Sequence, residues 1–139
     1  MVKMTASRAQ RPSMVTAKIR VLIVDNLPHV RQSLRTLLQL TEDLEIVGEA
    51  ANGLEAVQIA AQVRPDIVIM DLKMPEMDGF EATRQIKERH LAKKVIALTL
   101  YGNQHNRERA GRVGVDAFTE KGAAIDTLVE VIREVYQTK

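Results

Sequence analysis

The sequence predicts an α/β domain built on a doubly wound parallel sheet of five strands with five helices. Short apolar runs rich in β-branched residues alternate with segments whose apolar residues recur at helical spacing. This alternation is typical of a parallel sheet covered by helices on both faces. Because crossovers between parallel strands are right-handed, a doubly wound arrangement is favoured. The length of 139 residues fits one such domain.

Composition excludes several classes of protein. The chain is 45% hydrophobic and 27% charged, as ordinary globular domains are. Cysteine is absent, which excludes disulfides, thiolate metal sites and cysteine nucleophiles. No apolar stretch reaches the roughly 18 residues that a membrane span requires, and the first residues lack the apolar core of a signal peptide. We therefore expect a cytoplasmic protein that makes no membrane contact.

The positive charge is concentrated at the amino terminus. Residues 1–20 hold five cations and no acid, so residues 21–139 have a net charge of −3 against +2 for the whole chain. Scattered cations without aromatic residues are more typical of a disordered tail than of a nucleic-acid-binding arm. We predict a disordered basic leader over residues 1–18, with Met14 as an alternative start, and a folded domain over residues 19–139. We do not expect this chain itself to bind nucleic acid.

The first strand and helix are predicted from a β-branched run and the proline that follows it. Residues 20–24 form the apolar run, which ends at Asp25 and Asn26. Pro28 suits the first turn of the next helix. The apolar residues of that helix share one face: Val30, Leu34, Leu37 and Leu38.

The sequence predicts the second strand less clearly than the third. Residues 44–50 predict a weaker strand, and Asn52 is the predicted N-cap of the helix after it. Residues 67–70 form a continuous apolar run between Pro65 and a turn-rich segment, as buried strands do. This third strand ends at Asp71.

The last elements follow the same alternation. Asp78 is predicted to cap a third helix that reaches about His90, and residues 94–99 predict strand four. The segment over residues 103–112 is nearly all polar, so a fourth helix there is predicted to pack loosely. Residues 115–119 predict a brief fifth strand. The final helix is clearly amphipathic, with its apolar face formed by Ile125, Leu128, Val129, Ile132 and Val135.

Polar side chains follow four of the predicted strands. Asp25 and Asn26 follow the first, Asp71 ends the third, Thr99 ends the fourth and Lys121 follows the fifth. Carboxyl ends of parallel strands meet at one edge of a sheet, so these groups should converge there. Two carboxylates, an amide, a hydroxyl and an ammonium suit Mg²⁺ together with a phosphoryl group.

The chain resembles the receiver domain of bacterial two-component response regulators over residues 19–137. The matching segments are residues 24–26, 51–56, 71–79, 97–99 and Lys121. The run Asp-Leu-Lys-Met-Pro-Glu-Met-Asp-Gly, followed at the right intervals by Thr99 and Lys121, is highly specific. The resemblance implies a flavodoxin-like fold with strand order 2-1-3-4-5. The pattern is closest to receivers that precede helix-turn-helix output domains, which implies a role in transcription regulation.

The resemblance also implies roles for individual residues. Asp71 would accept a phosphoryl group from a sensor histidine kinase or phosphotransfer protein in a phosphorelay. Thr99 and Lys121 would bind the phosphoryl oxygens, and Phe118 would be the switch aromatic residue. The implied Mg²⁺ ligands are Asp25, Asn26, Asp71 and the backbone carbonyl of Lys73.

Two departures from the family pattern predict altered behaviour. Asn26 stands where the family usually has a second acid, so weaker Mg²⁺ binding is expected, but not its loss. Lys73, Leu100 and Tyr101 occupy positions that tune acyl-phosphate hydrolysis, and Leu100 is expected to narrow access to the site. Because neither Lys73 nor Tyr101 is a carboxylate or amide suited to aligning an attacking water, slow self-dephosphorylation is predicted.

The leading hypothesis is a signalling switch and not a turnover enzyme, with a protein-interaction face that phosphorylation changes. Expected partners are the kinase, an output domain or effector protein, and a second copy in a phosphorylation-dependent dimer. The alternative is a phosphorylation-independent receiver that acts as a protein-binding module. Aspartyl phosphatase, nucleotide hydrolase and flavin-binding functions each lack their motif after strand one. A stand-alone receiver and the receiver of a longer regulator both remain open.

Overall fold

Ten elements alternate along the chain in the computed structural model, which describes residues 17–100 and 102–138. The strands are β1 (Ile19–Val24), β2 (Leu44–Ala50), β3 (Ile67–Asp71), β4 (Lys94–Thr99) and β5 (Ala117–Glu120). The helices are α1 (Pro28–Gln39), α2 (Gly53–Val63), α3 (Gly79–Glu88), α4 (Gln104–Val113) and α5 (Ile125–Gln137). The predicted basic leader lies outside the described residues, except for residues 17 and 18.

The five strands form one parallel sheet in the order β2-β1-β3-β4-β5. This order confirms the predicted doubly wound, flavodoxin-like fold. It places β3, with all five residues buried, in the middle of the sheet. Within the described part of the chain, no helix has the length and apolar content needed to cross a membrane.

Two apolar layers sandwich the sheet. One layer packs α1 and α5 against the side chains that alternate strand residues send to that face, such as Ile23 and Ile69. The other packs α2 and α3 against the opposite set, such as Leu22 and Met70. Because helices cover both faces, the polar groups of the sheet gather at the carboxyl ends of its strands.

Side-chain caps fix where three helices begin, as two of the sequence predictions stated. The carboxamide of Asn52 accepts a hydrogen bond from the Glu55 amide at 2.9 Å, and Asp78 accepts one from the Glu81 amide at 3.0 Å. Asn103 caps α4 in the same way. These bonds satisfy amide groups that the first turn of a helix leaves without a partner.

Strand five begins two residues later than predicted, at Ala117. The carboxylate of Asp116 accepts a hydrogen bond from the Val95 amide and pairs with Lys87 at 2.8 Å. These contacts hold Val115 and Asp116 in the turn before the strand. The predicted loose packing of α4 is confirmed, because Ala110 is its one buried residue.

Candidate functional site

Two buried carboxylates face one ammonium at the carboxyl edge of the sheet. Asp25 follows β1 and is 0% exposed, and Asp71 ends β3 and is 2% exposed. The Lys121 Nζ lies 2.8 Å from Oδ2 of Asp25 and 3.3 Å from Oδ2 of Asp71. Because β1 and β3 are neighbours in the sheet, the two acids are brought to one place from positions 46 residues apart in the chain. The group has a formal charge of −1.

A small cavity of about 120 Å³ opens over this group. Besides Leu27, its lining consists of predicted site residues: Asn26, Asp71, Lys73, Thr99, Leu100 and Lys121. Thr99 is 2% exposed at the end of β4, and its carbonyl accepts a hydrogen bond of 2.7 Å from the Lys121 amide. Residues at the carboxyl ends of four different strands therefore meet around one small cavity.

The loop between β3 and α3 is held by close backbone contacts. The Gly79 amide donates to the Leu72 carbonyl at 3.1 Å, and the Gly53 amide donates to the Met77 carbonyl at 3.0 Å. A Cβ atom at Gly79 would overlap the Asp71 carbonyl oxygen, so only glycine fits there. The Lys73 amide donates to Oδ1 of Asp71 at 3.2 Å. This loop therefore orients the Asp71 carboxylate.

The electrostatics of the site favour a cation. Burial raises the pKa of Asp71 above its usual range, and the negative charge of Asp25 raises it further, against the smaller effect of Lys121. Burial acts to lower the pKa of Lys121, but its contacts with Asp25 and Asp71 outweigh burial and raise that pKa overall. One ammonium is therefore too little positive charge for two buried carboxylates.

The donor set fits Mg²⁺. Oδ2 of Asp25 and Oδ2 of Asp71 are buried and make no hydrogen bond of good geometry, although both lie near Lys121. In the described part of the chain, no three His, Cys, Asp or Glu side chains group where they could hold a metal ion. Magnesium needs only one or two carboxylates when waters and phosphate oxygens complete its shell. The pair, with the Asn26 amide beside it, meets that requirement.

The remaining predicted site residues are placed differently. Leu100 lines the cavity but is 63% exposed, so most of its side chain points to solvent. Phe118 does not line the cavity and packs beside the buried cluster of Leu72, Phe80, Ala97 and Ala110. Tyr101 lies outside the described residues.

One residue that supports the site was missed by sequence reasoning. Arg31, in α1, donates from its guanidinium to the Asp25 carbonyl at 2.6 Å and pairs with Glu49 of β2 at 3.3 Å. It thereby fixes the turn after β1 that presents Asp25 and Asn26. No sequence pattern signals this contact, because it depends on the angle at which α1 leaves the sheet.

We predict that Asp71→Asn raises the thermal unfolding midpoint at pH 7 by about 3–8 °C, equivalent to roughly 1–2 kcal/mol. The pKa of Asp71 is raised on folding, so the folded state binds a proton more readily than the unfolded chain. Stability is therefore lost as pH rises from the ordinary aspartate pKa through the raised one, and the cost is fully present above it. Calorimetry at several pH values measures this gain, which should shrink as pH falls through the raised pKa and be absent below the ordinary one.

Asp66→Asn is the matched control for this prediction. The Asp66 carboxylate accepts a hydrogen bond from the Arg20 amide at 2.9 Å and pairs with Lys93 at 3.3 Å. Its neutralisation should lower the midpoint or leave it unchanged. A lower midpoint for Asp71→Asn at pH 7 would contradict the electrostatic account of the site.

Comparison with known proteins gives consistent matches over the folded part of the chain. A family model of the response regulator receiver domain matches residues 21–133. The transcriptional regulatory protein YdfI of Bacillus subtilis (strain 168) is 41% identical over 109 residues, which are 78% of this chain and 51% of YdfI. This chain therefore spans about half the length of that relative.

Solved structures match across the same region. A DNA-binding response regulator of the LuxR family from Staphylococcus aureus has a TM-score of 0.80 at 33% identity, covering 86% of this chain and 99% of that one. A chain of the CheX–CheY complex with BeF₃ and magnesium from Borrelia burgdorferi has a TM-score of 0.79 at 26% identity. It covers 88% of this chain and 92% of that one.

Proposed function

Because this chain belongs to the response regulator receiver family, we propose that it accepts a phosphoryl group on Asp71 and thereby switches a protein-interaction face. The observation that carries the proposal is the buried pair of Asp25 and Asp71 with Lys121, beneath a cavity that Thr99 also lines. The donor would be a phosphohistidine on a sensor kinase or phosphotransfer protein. The output would pass to a domain or effector protein, as transcription regulation by full-length relatives implies.

The proposed reaction uses the Asp71 carboxylate as nucleophile. One of its oxygens attacks the phosphorus atom, the bond from phosphorus to the donor nitrogen breaks, and the electron pair leaves with the imidazole. The backbone amide of Lys73 donates a 3.2 Å hydrogen bond to Oδ1 of Asp71 and so holds the oxygen that does not attack. The Lys121 ammonium would offset the charge of the incoming phosphoryl oxygens, and the Thr99 hydroxyl would donate to one of them.

The residues that would hold Mg²⁺ are Asp25, Asn26, Asp71 and the carbonyl of Lys73. When bound, the cation neutralises the negative charge that two carboxylates and a phosphoryl group bring together. Asp25 is fixed for this role because its Oδ1 accepts the Leu27 amide at 2.9 Å, which leaves Oδ2 for other partners. Neither Lys73 nor Tyr101 is a carboxylate or amide that could align water, so the acyl phosphate is proposed to hydrolyse slowly.

Intact-mass measurement after incubation with acetyl phosphate tests the proposed function. We expect one phosphoryl adduct on the wild-type chain when Mg²⁺ is present and little without it. Asp71→Asn should give no adduct while remaining folded. Absence of an adduct at high Mg²⁺ from both acetyl phosphate and a phosphorylated kinase would reject phosphoryl acceptance, leaving a phosphorylation-independent binding module.

We predict that Asn26→Asp tightens Mg²⁺ binding about tenfold. A unit charge at about 4 Å contributes up to ~4 kcal/mol at an effective dielectric near 20, and competition with solvent reduces this to roughly 1–2 kcal/mol. Asn26 is half-buried and lines the cavity beside Asp71, so an added carboxylate would act at that distance. Isothermal titration with Mg²⁺ measures the change.

Gln137→Glu provides the matched control, since it adds the same charge at an exposed position at the end of α5. Its Mg²⁺ affinity should equal that of the wild type. If Asn26→Asp also left the affinity unchanged, Asn26 would not be a metal ligand.

A further inference from the structure

Arg31 contacts the backbone on both sides of Asn26, in the turn that joins β1 to α1. Its Nη1 donates to the Asp25 carbonyl at 2.6 Å. Its own amide donates to the Leu27 carbonyl at 3.0 Å, in the first hydrogen bond of the helix. A single residue of α1 therefore holds the turn that carries two of the proposed magnesium ligands.

Glu49 fixes the guanidinium of Arg31 in this position. Its carboxylate lies 3.3 Å from Nε of Arg31 and belongs to β2, the strand beside β1. The Arg31 side chain is 19% exposed, and a partly buried ion pair is screened less by salt than an exposed one. The guanidinium is therefore held between the end of β1 and the neighbouring strand.

Arg35 pairs with the same glutamate one turn further along α1. Its Nη1 lies 2.7 Å from Oε2 of Glu49, and its side chain is 52% exposed. Its hydrogen bond goes to that carboxylate and not to the backbone of the turn. Exposed ion pairs of this kind contribute little. The two arginines therefore share a charge and a partner but differ in contact with Asp25.

We propose that Arg31 is a positioning residue that sets the Mg²⁺ affinity of the site by holding Asp25 and Asn26 in place. The identity of the ion rests on the proposed function. The apparent affinity for a ligand falls with the fraction of molecules whose binding groups are in position. Because the guanidinium makes a charge-assisted hydrogen bond, its removal should leave the turn displaced in most molecules.

Electrostatics alone would have the opposite effect on Mg²⁺. A guanidinium repels a cation, so removal of its charge by itself would tighten Mg²⁺ binding. The Glu49 carboxylate, 3.3 Å from Arg31, offsets that charge and keeps the repulsion small. Weaker Mg²⁺ binding by a folded variant that lacks Arg31 would therefore result from the loss of positioning.

Isothermal titration with Mg²⁺ tests the role of Arg31. Arg31→Gln should weaken binding by about five- to tenfold. Arg35→Gln is the matched control, and its affinity should stay within about twofold of the wild type. Arg31→Lys keeps one cationic donor and should bind Mg²⁺ more tightly than Arg31→Gln does. Unchanged or tighter binding by Arg31→Gln would overturn the proposal.

Nitrogen-15 relaxation of the metal-free protein measures the order of the turn without any ion. Order parameters of the amides of Asn26 and Leu27 should fall below ~0.7 in Arg31→Gln, while that of Ile69, in the centre of the sheet, stays near ~0.85. Arg35→Gln should leave all three unchanged. Wild-type order parameters and chemical shifts throughout the turn of Arg31→Gln would overturn the positioning role.

Intact mass after acetyl phosphate treatment separates this proposal from the proposed function. Arg31→Gln should approach the wild-type rate of adduct formation at saturating Mg²⁺ and be slower when Mg²⁺ is limiting, because Arg31 is proposed to act through the ion. A slow rate at saturation would overturn that role. Weakened Mg²⁺ binding by Arg31→Gln with no adduct on any variant would reject phosphoryl acceptance and support the role of Arg31. Absence of Mg²⁺ binding by the wild type would overturn both claims.

Discussion

Lys121→Met is expected to slow phosphoryl uptake by about 10²-fold and, at the same time, to tighten Mg²⁺ binding about tenfold. The formal charge of the group formed with Asp25 and Asp71 changes from −1 to −2. A cation benefits from this change, and an incoming phosphoryl dianion is repelled by it. One charge at about 4 Å contributes up to ~4 kcal/mol at an effective dielectric of 20. Partial solvent screening reduces this to roughly 2–3 kcal/mol, which corresponds to about 10²-fold in rate.

Time courses of intact mass with acetyl phosphate measure the rate, and isothermal titration measures the Mg²⁺ affinity. Lys93→Met is the matched control, because Lys93 is 72% exposed and precedes β4 at the opposite edge of the sheet. It should change neither quantity. The distinctive result for Lys121→Met is slower phosphoryl uptake together with tighter Mg²⁺ binding. A rate within twofold of wild type, or weaker Mg²⁺ binding, would show that the ammonium does not balance the charge of the site.

Gly79→Ala is expected to destabilise the fold by about 3 kcal/mol or more, the cost of overpacking against atoms that cannot move aside. The new Cβ would overlap the Asp71 carbonyl oxygen and lie 2.7 Å from Cα of Leu72. Both neighbours belong to the backbone, so the loop itself would have to shift and lose the hydrogen bond from the Gly79 amide to Leu72. Thermal unfolding should show a midpoint at least ~10 °C lower.

Gly111→Ala is a control of opposite sign. Gly111 lies inside α4, and a Cβ there would meet nothing within 4 Å. Alanine favours a helix interior over glycine by about 0.5–1 kcal/mol, so this variant should be slightly more stable than wild type. A loss below ~1 kcal/mol for Gly79→Ala would mean that the loop around Asp71 is free to adjust.

Local sequence signals were sufficient for most of the fold. The β-branched run that became β3 and the caps at Asn52 and Asp78 were recognisable because strand burial and helix capping depend on neighbouring residues. The predicted start of strand five was wrong because the carboxylate of Asp116 accepts a hydrogen bond from the amide of Val95, 21 residues away. Long-range contacts of this kind leave no periodic pattern in the sequence.

The candidate site was predictable to a similar extent. A parallel sheet brings strand ends to one edge, so Asp25, Asp71 and Lys121 could be grouped from their order in the chain alone. The support from Arg31 and its pairing with Glu49 could not be predicted. Each depends on how a helix sits against the sheet, which apolar packing of the whole domain determines.

The location of the phosphoryl group tests the central claim most directly. Borohydride reduction of the protein treated with acetyl phosphate and Mg²⁺ converts an aspartyl phosphate to homoserine, and peptide mass spectrometry locates the converted residue. We predict conversion at Asp71, the buried carboxylate at the end of β3, and at no other acid. Conversion at a different carboxylate, or an adduct that resists reduction, would contradict the assignment of Asp71 as the phosphoryl acceptor.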